Sequence, residues 1–199
     1  IQASLVGSEM CIRDRDCVSA TIAMEEVGTG CASSALSYLA HSILAVNNLS
    51  TNGSAAQKEE YLPKLCSGEW IGAMAMSEPG AGSDALGMSL KAEKKGDHYS
   101  LNGAKMWITN ASHSDFFWVY AKTGEEKKQI STFIVEKDFP GFSVSRKLDK
   151  FGMRASPTCE LVFEDCQVPL KNLVGEENSS TGHMKNNLLI ERVTTVSYT

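Results

Sequence analysis

The sequence has little that would suit it to a membrane, a nucleic acid or a structural metal. Its longest apolar runs, such as 116–121, are far too short to cross a bilayer. Basic residues are outnumbered, 19 Lys+Arg against 24 Asp+Glu for a formal net charge of -5, so no positive field attracts phosphate backbones or anionic lipid. None of the six cysteines (Cys11, Cys17, Cys31, Cys66, Cys159 and Cys166) forms a Cys-x-x-Cys pair, and His41, His98, His113 and His183 form no i, i+4 pair. The zinc-site patterns are therefore missing, and the cysteines read as reduced thiols. With 16 glycines and 5 prolines the chain is neither collagenous nor low in complexity, and no internal repeat is visible. What is present is a globular chain of 199 residues, enough for one or two domains with a real core.

Along the chain the texture changes twice. Residues 1–15 lack a sustained pattern and the n- and h-regions of a signal peptide, and are set aside as an assembly artefact or disordered terminus. From 16 to 49, Val18, Ile22, Met24, Val27, Leu36, Leu39, Ile43, Leu44 and Val46 fall at helical spacing, broken by Gly28-Thr29-Gly30, which predicts two helices. Asn52-Gly53-Ser54 reads as a turn and N-cap for a short helix over 55–66, weakened near its end by Pro63.

Strand-like runs follow at 70–76, 90–95, 98–101, 105–109, 116–121, 130–136, 142–147 and 158–163. Gly96-Asp97, Asn102-Gly103, Thr123-Gly124 and Pro140-Gly141 supply turn signals between them. Cys159 and Cys166, an odd number of residues apart in one strand-like segment, are expected on opposite faces. Residues 182–193 return to helical character. The expected fold class is α+β: a helical segment (16–68), an antiparallel β-barrel or sandwich as middle domain (69–176), and the start of a C-terminal helical domain (177–199).

Two segments draw attention as chemistry. Glu78-Pro79-Gly80-Ala81-Gly82-Ser83-Asp84 closes a strand with two glycines beside the hydroxyls of Ser77 and Ser83, a pattern that exposes backbone N–H groups. It is neither a P-loop, for want of Gly-Lys-Ser/Thr, nor Gly-x-Gly-x-x-Gly, because Ala85 occupies the third glycine's place. Lys105-Met106-Trp107-Ile108-Thr109-Asn110 sets a tryptophan in a strand, where it can stack on a planar ring with a Thr hydroxyl beside it, or serve simply as core. Arg146, Lys147, Lys150 and Arg154 form a denser basic patch, read as a solvated face or a phosphate contact.

Taken together the motifs resemble the acyl-CoA dehydrogenase family of flavoenzymes. The matching stretches are AMSEPGAGSD (75–84), LKAEKKGDHYSLNGAKMWITNA (90–111), FIVEKDFPGFSVSRKLDKFGMRASPTCELVFEDCQVP (133–169) and NLVGEEN (172–178). NGSAAQKEEYLPKLCSGE, KLDKFGMR and LIERV are similar to the branch that takes short branched acyl-CoA of the isovaleryl type.

The resemblance implies a tetramer around FAD, built from an N-terminal helical, a middle β and a C-terminal helical domain. This chain would hold the end of the first, the whole of the second and the start of the third. It implies flavin contacts from Met74, Ala75, Met76, Ser77, Glu78, Pro79, Gly80, Ala81, Gly82 and Ser83, and from Trp107, Ile108 and Thr109. Substrate contacts carry over onto Ser83, Tyr120, Ala121, Leu189, Ile190 and Arg192. Glu191, after three apolar residues, falls where this branch places its catalytic base; most of the family draws that glutamate from the later helical domain. The implied reaction is α,β-dehydrogenation of an acyl-CoA in branched-chain (leucine) catabolism, with an electron-transfer flavoprotein as acceptor and the mitochondrial matrix as location. A straight-chain dehydrogenase, an acyl-CoA oxidase and a non-catalytic β-module are the alternatives.

Overall fold

The computed structural model describes residues 17–196. Helices come first: α1 (Cys17–Gly30), α2 (Ala32–Leu39), a π-helical segment (Ala40–Val46), α3 (Asn47–Asn52) and α4 (Ala55–Ser67). The break expected at Gly28-Thr29-Gly30 falls just after Gly30, where Cys31 is extended (φ -164°). The α4 start carries a capping box, with Ser54 Oγ accepting from the Gln57 amide while Gln57 Oε1 accepts from that of Ser54. Its end is closed by Gly68 in the left-handed conformation.

The strands are β1 (Gly72–Ala75), β2 (Lys91–Lys95), β3 (His98–Thr109), β4 (Phe116–Lys122), β5 (Ile130–Glu136), β6 (Phe142–Lys147), β7 (Thr158–Pro169) and β8 (Leu173–Val174), and α5 (Thr181–Val196) follows. They form one sheet ordered β6-β7-β3-β2-β4-β5-β8, with β1 paired to β4 off that path. The middle domain is thus the expected β-unit with two refinements. The sheet is mixed, because β1 and the first residue of β2 pair in parallel with β4. It is also not closed: β6 and the two-residue β8 are edges that do not pair with each other.

The sheet is covered on both faces, and β4 shows how the sequence encodes this. Phe117, Val119 and Ala121 point into a core shared with Tyr99, Leu101, Phe133, Leu161 and Phe163. Phe116, Trp118 and Tyr120 point the other way, onto Ala45, Val46, Leu49, Tyr61 and Leu65 of the helices. Every second residue of an ordinary antiparallel strand faces water, whereas here both registers are apolar. β1 lies tight against the π-helical segment: the Gly72 amide donates to His41 Nδ1 at 2.9 Å. A Cβ on Gly72 would stand 2.6 Å from the Ala45 methyl, so that approach requires glycine.

Two expectations about β3 and β7 are corrected by one device. Asn102-Gly103 is not a hairpin turn; β3 runs through it as a single strand. Opposite it β7 carries an extra residue, since Leu101 pairs with Cys166 and Gly103 with Phe163. Asp165 takes up the surplus at φ +50°, its amide donating to Asn102 Oδ1 at 2.8 Å and its carboxylate accepting from Ser100 and Asn102. A bulge reverses the in–out parity of every residue beyond it. Cys159 and Cys166 therefore lie in the same core despite their odd spacing, and burial pushes the Cys166 thiol up to about 12.

Candidate functional site

A second bulge lies further along β3. Lys105 pairs with Leu161 and Ile108 with Cys159, so here the surplus residue is on β3. Trp107 absorbs it at φ +62°, a conformation costly for a bulky L-residue, and its indole is turned outward at 53% exposure. Trp107 is therefore not core. It borders a cavity of about 180 Å³ together with Ile108 and Thr109.

Five elements enclose that cavity. β1 and the residues after it contribute Met74, Met76 and Ser77, and the end of β3 contributes Trp107, Ile108 and Thr109. The helical wall is Leu36 and Leu39 of α2 with Ala40 and Leu44 of the π-helical segment, and α5 adds Glu191 and Thr195. One wall is thus a planar aromatic with hydroxyls beside it, the opposite walls are apolar, and a single carboxylate enters.

Glu191 Oε2 is buried with no hydrogen-bond partner among the described residues. Burial pushes its carboxyl above the ordinary range, partly opposed by the Arg192 guanidinium. Asn187, one turn earlier on the same face, donates to Met74 Sδ at 3.2 Å and leaves its Oδ1 without a partner.

Of the flavin contacts implied by resemblance, the structure thus brings Met74, Met76, Ser77, Trp107, Ile108 and Thr109 to one cavity. The remaining ones sit elsewhere. Ala75 faces the β-core. Glu78 and Ala81 exchange backbone hydrogen bonds across a tight turn, and the exposed Pro79, Gly80, Gly82 and Ser83 do not reach the cavity. The Glu78 carboxylate turns inward to Lys105 Nζ at 2.9 Å and accepts from the amides of Ser89 and Leu90. Burial would raise its pKa, but the Lys105 ammonium and these hydrogen bonds prevail, and the carboxyl lies below its ordinary value.

The implied substrate contacts fare differently from the base. Tyr120 and Ala121 are fully buried, one in each core, because β4 is covered on both faces. Burial pushes the Tyr120 phenol well up, and the nearby Glu191 charge adds to this. Leu189 and Arg192 are exposed, and Ile190 packs on the helical core formed by Met24, Tyr38 and Leu39. At 100° per residue they cannot share a helix face with Glu191, whereas Asn187, Leu188 and Thr195 can. The basic patch is divided: Lys150 turns inward to Ser156 O and Thr158 Oγ1, and Arg154 pairs with Asp149 at 3.0 Å.

The residues not anticipated are Leu36, Leu39, Ala40, Leu44 and Thr195. The apolar i, i+3, i+4 spacing of the first four was visible, but that pattern reads equally as core.

Comparison with known proteins agrees with this geometry. The model of the acyl-CoA dehydrogenase N-terminal domain matches residues 6–69, and that of the acyl-CoA dehydrogenase middle domain matches 73–166. The chain belongs to the acyl-CoA dehydrogenase family. It is 56% identical over 176 residues to the mitochondrial isovaleryl-CoA dehydrogenase of Pongo abelii, covering 86% of this chain and 42% of the relative. Among solved structures, butyryl-CoA dehydrogenase from Megasphaera elsdenii superposes with a TM-score of 0.88 at 37% identity, over 92% of this chain and 49% of that one. An acyl-CoA dehydrogenase complexed with FAD from Bacillus anthracis gives 0.88 at 38% identity, over 97% and 35%. The chain therefore spans no more than about half the length of these relatives.

The residues around the cavity fit a flavin. An outward-turned indole offers a stacking face, Ser77 and Thr109 offer hydroxyls at a ring's polar edge, and Met74, Met76, Leu36 and Leu39 keep the surroundings apolar.

Proposed function

We propose that the chain serves FAD-dependent α,β-dehydrogenation of a short branched acyl-CoA of the isovaleryl type. The observation carrying this is that Glu191, half-buried with its Oε2 buried and unpartnered, shares one cavity with Trp107, Ser77 and Thr109. Trp107, Ile108 and Thr109 on one side and Met74, Met76 and Ser77 on the other would hold the isoalloxazine. FAD, when bound, supplies the acceptor for the hydride that leaves the β-carbon.

The protein's own share of the chemistry is proton transfer and the exclusion of water. Glu191 takes the proton from the carbon α to the thioester as the C–H bonds at Cα and Cβ break and the Cα–Cβ double bond forms, leaving a 2-enoyl-CoA. A carboxylate surrounded by apolar side chains is a stronger base than one in water, because burial that raises its pKa raises its affinity for the incoming proton. The aliphatic wall of Leu36, Leu39, Ala40 and Leu44 excludes water.

The isovaleryl reading rests on the 56% identity to an isovaleryl-CoA dehydrogenase and on Glu191 entering from α5. Electron delivery to an electron-transfer flavoprotein, assembly as a homotetramer, and a mitochondrial matrix location complete the proposal; the last is supported by relatives named as mitochondrial. The test is bleaching of flavin absorbance by isovaleryl-CoA in FAD-loaded protein. Glu191→Gln is expected to keep FAD and lose bleaching by roughly two orders of magnitude or more, the size of a general-base effect. Bleaching at the unsubstituted rate would place the base elsewhere and sink the isovaleryl reading.

A further inference from the structure

Lys105 is a lysine with no exposed surface in the middle of a strand, one of the least common places for that residue. Its ammonium donates to Met76 O at 2.9 Å and to Glu78 Oε1 at 2.9 Å, with Met88 Sδ at 3.7 Å as a third neighbour. Glu78, 2% exposed, is tied on in turn: Oε2 accepts from the amide and hydroxyl of Ser89, both at 2.6 Å, and Oε1 accepts from the Leu90 amide at 2.9 Å.

The two cavity-lining arms are both attached to this pair. Met76 O and the Glu78 carboxylate bracket Ser77, whose own carbonyl accepts from the Met106 amide at 2.9 Å. Lys105 is the last β3 residue in register before the Trp107 bulge, and Ile108, 2% exposed in the β-core, is the first after it. A bulky residue at positive φ persists only where its flanks are fixed. Lys105 and Met106 fix one flank and Ile108 the other.

We infer that the buried Lys105–Glu78 pair is the positioning element of the cavity, holding the Met74–Ser77 arm against β3 and keeping Trp107 turned outward in its bulge. The inference rests on the proposed flavin reading for its functional meaning, while its structural content stands apart from any cofactor. Replacing a buried pair by neutral groups of similar size need not destabilise a protein, whereas removing one partner leaves an uncompensated charge. A pair kept for stability alone could be neutralised without local consequence; a positioning pair could not.

The experiment compares the unsubstituted chain with Lys105→Met, Glu78→Gln/Lys105→Met and Ser89→Ala. It measures residue-level amide hydrogen exchange without flavin, then FAD affinity by flavin fluorescence. In the double variant the Met106 amide should exchange about tenfold faster relative to the β4 amides, and FAD should bind about tenfold more weakly. Ser89→Ala, on an exposed residue, should loosen the same amide to a smaller degree and stays informative if Lys105→Met does not fold. Exchange at Met106 that changes only in step with the β4 amides, in the double variant and in Ser89→Ala, would overturn the inference. If the unsubstituted chain does not bind FAD, the cofactor reading fails, and the exchange data still decide whether the pair positions the arms.

Discussion

At the scale of single residues the site is a set of local rules broken together. Trp107 sits at positive φ, Glu191 Oε2 is buried without a partner, and Lys105 is buried with one. Each would be a defect alone, and their convergence on one cavity and its wall marks function, because natural sequences keep such costs where a ligand or a reaction uses them. Glu191 offers a direct test of that cost. Its folded-state carboxyl is raised above the value it has in the unfolded chain, so the native state binds the proton more tightly. Below the ordinary carboxylate range the group is neutral in both states and costs nothing. As pH rises through the unfolded and then the folded value the native state loses stability, and the penalty is complete above both. Glu191→Gln cannot ionise. Across about pH 4 to 8 its melting temperature should therefore start level with the parent, rise above it, and level off once the folded-state value is passed. A constant difference across that range would mean that the carboxylate is solvated or paired in solution.

At the scale of elements, the sequence was most legible where one physical signal dominated. The helix at Ala55–Ser67 followed from Ser54 and the spacing after it, and β5 and β6 run over the same residues as the alternation predicted. It was least legible at the bulges. Asn102-Gly103 carries a hairpin signal, yet Gly103 serves a close approach to Leu90 just before β2: it lies at φ +139°, and a Cβ there would stand 3.1 Å from Leu90 Cδ1 and 3.2 Å from its Cα. No local pattern reports that β7 holds one residue too many, because the surplus is defined only by the pairing. The same blindness hid the outward turn of Trp107. Motif resemblance singled out Trp107 because it compares whole stretches of sequence rather than alternation. It also carried over Tyr120, buried near Glu191 but off the cavity lining, and Leu189, which lies exposed. Gly103→Ala combines a positive φ with a backbone contact that cannot move aside, and should cost about 1–3 kcal/mol. Denaturant titration checks this, and a change within error would show that the bulge relaxes around a side chain.

At the scale of the whole molecule, the helical segment and the sheet are one structure by their packing, although two family models divide them near residue 70. The cavity exists only because they meet: α2 and the π-helical segment form one wall, β1 and β3 another, and α5 brings the carboxylate. The joint between them is the core around Trp118, fully buried between β4 and the helical residues Leu49, Tyr61 and Leu65. Asn110 adds a polar tie from the end of β3, its Nδ2 donating to Ser37 O at 2.7 Å. If that core couples the two parts, far-ultraviolet circular dichroism, which follows the helices, and tryptophan fluorescence, which includes Trp107 and Trp118 of the sheet, should report one coincident transition in urea. Trp118→Ala removes a large buried ring and should cost about 3–5 kcal/mol, a large share of an ordinary domain's stability. Because the ring is shared, the circular dichroism and the fluorescence that remains from Trp70 and Trp107 should shift to lower urea together. Helical signal lost ahead of the sheet, or a Trp118→Ala variant in which only the helices melt early, would mean that the parts fold separately and the cavity closes only on association. A cooperative shift would make the cavity a property of the fold itself, present before any ligand arrives.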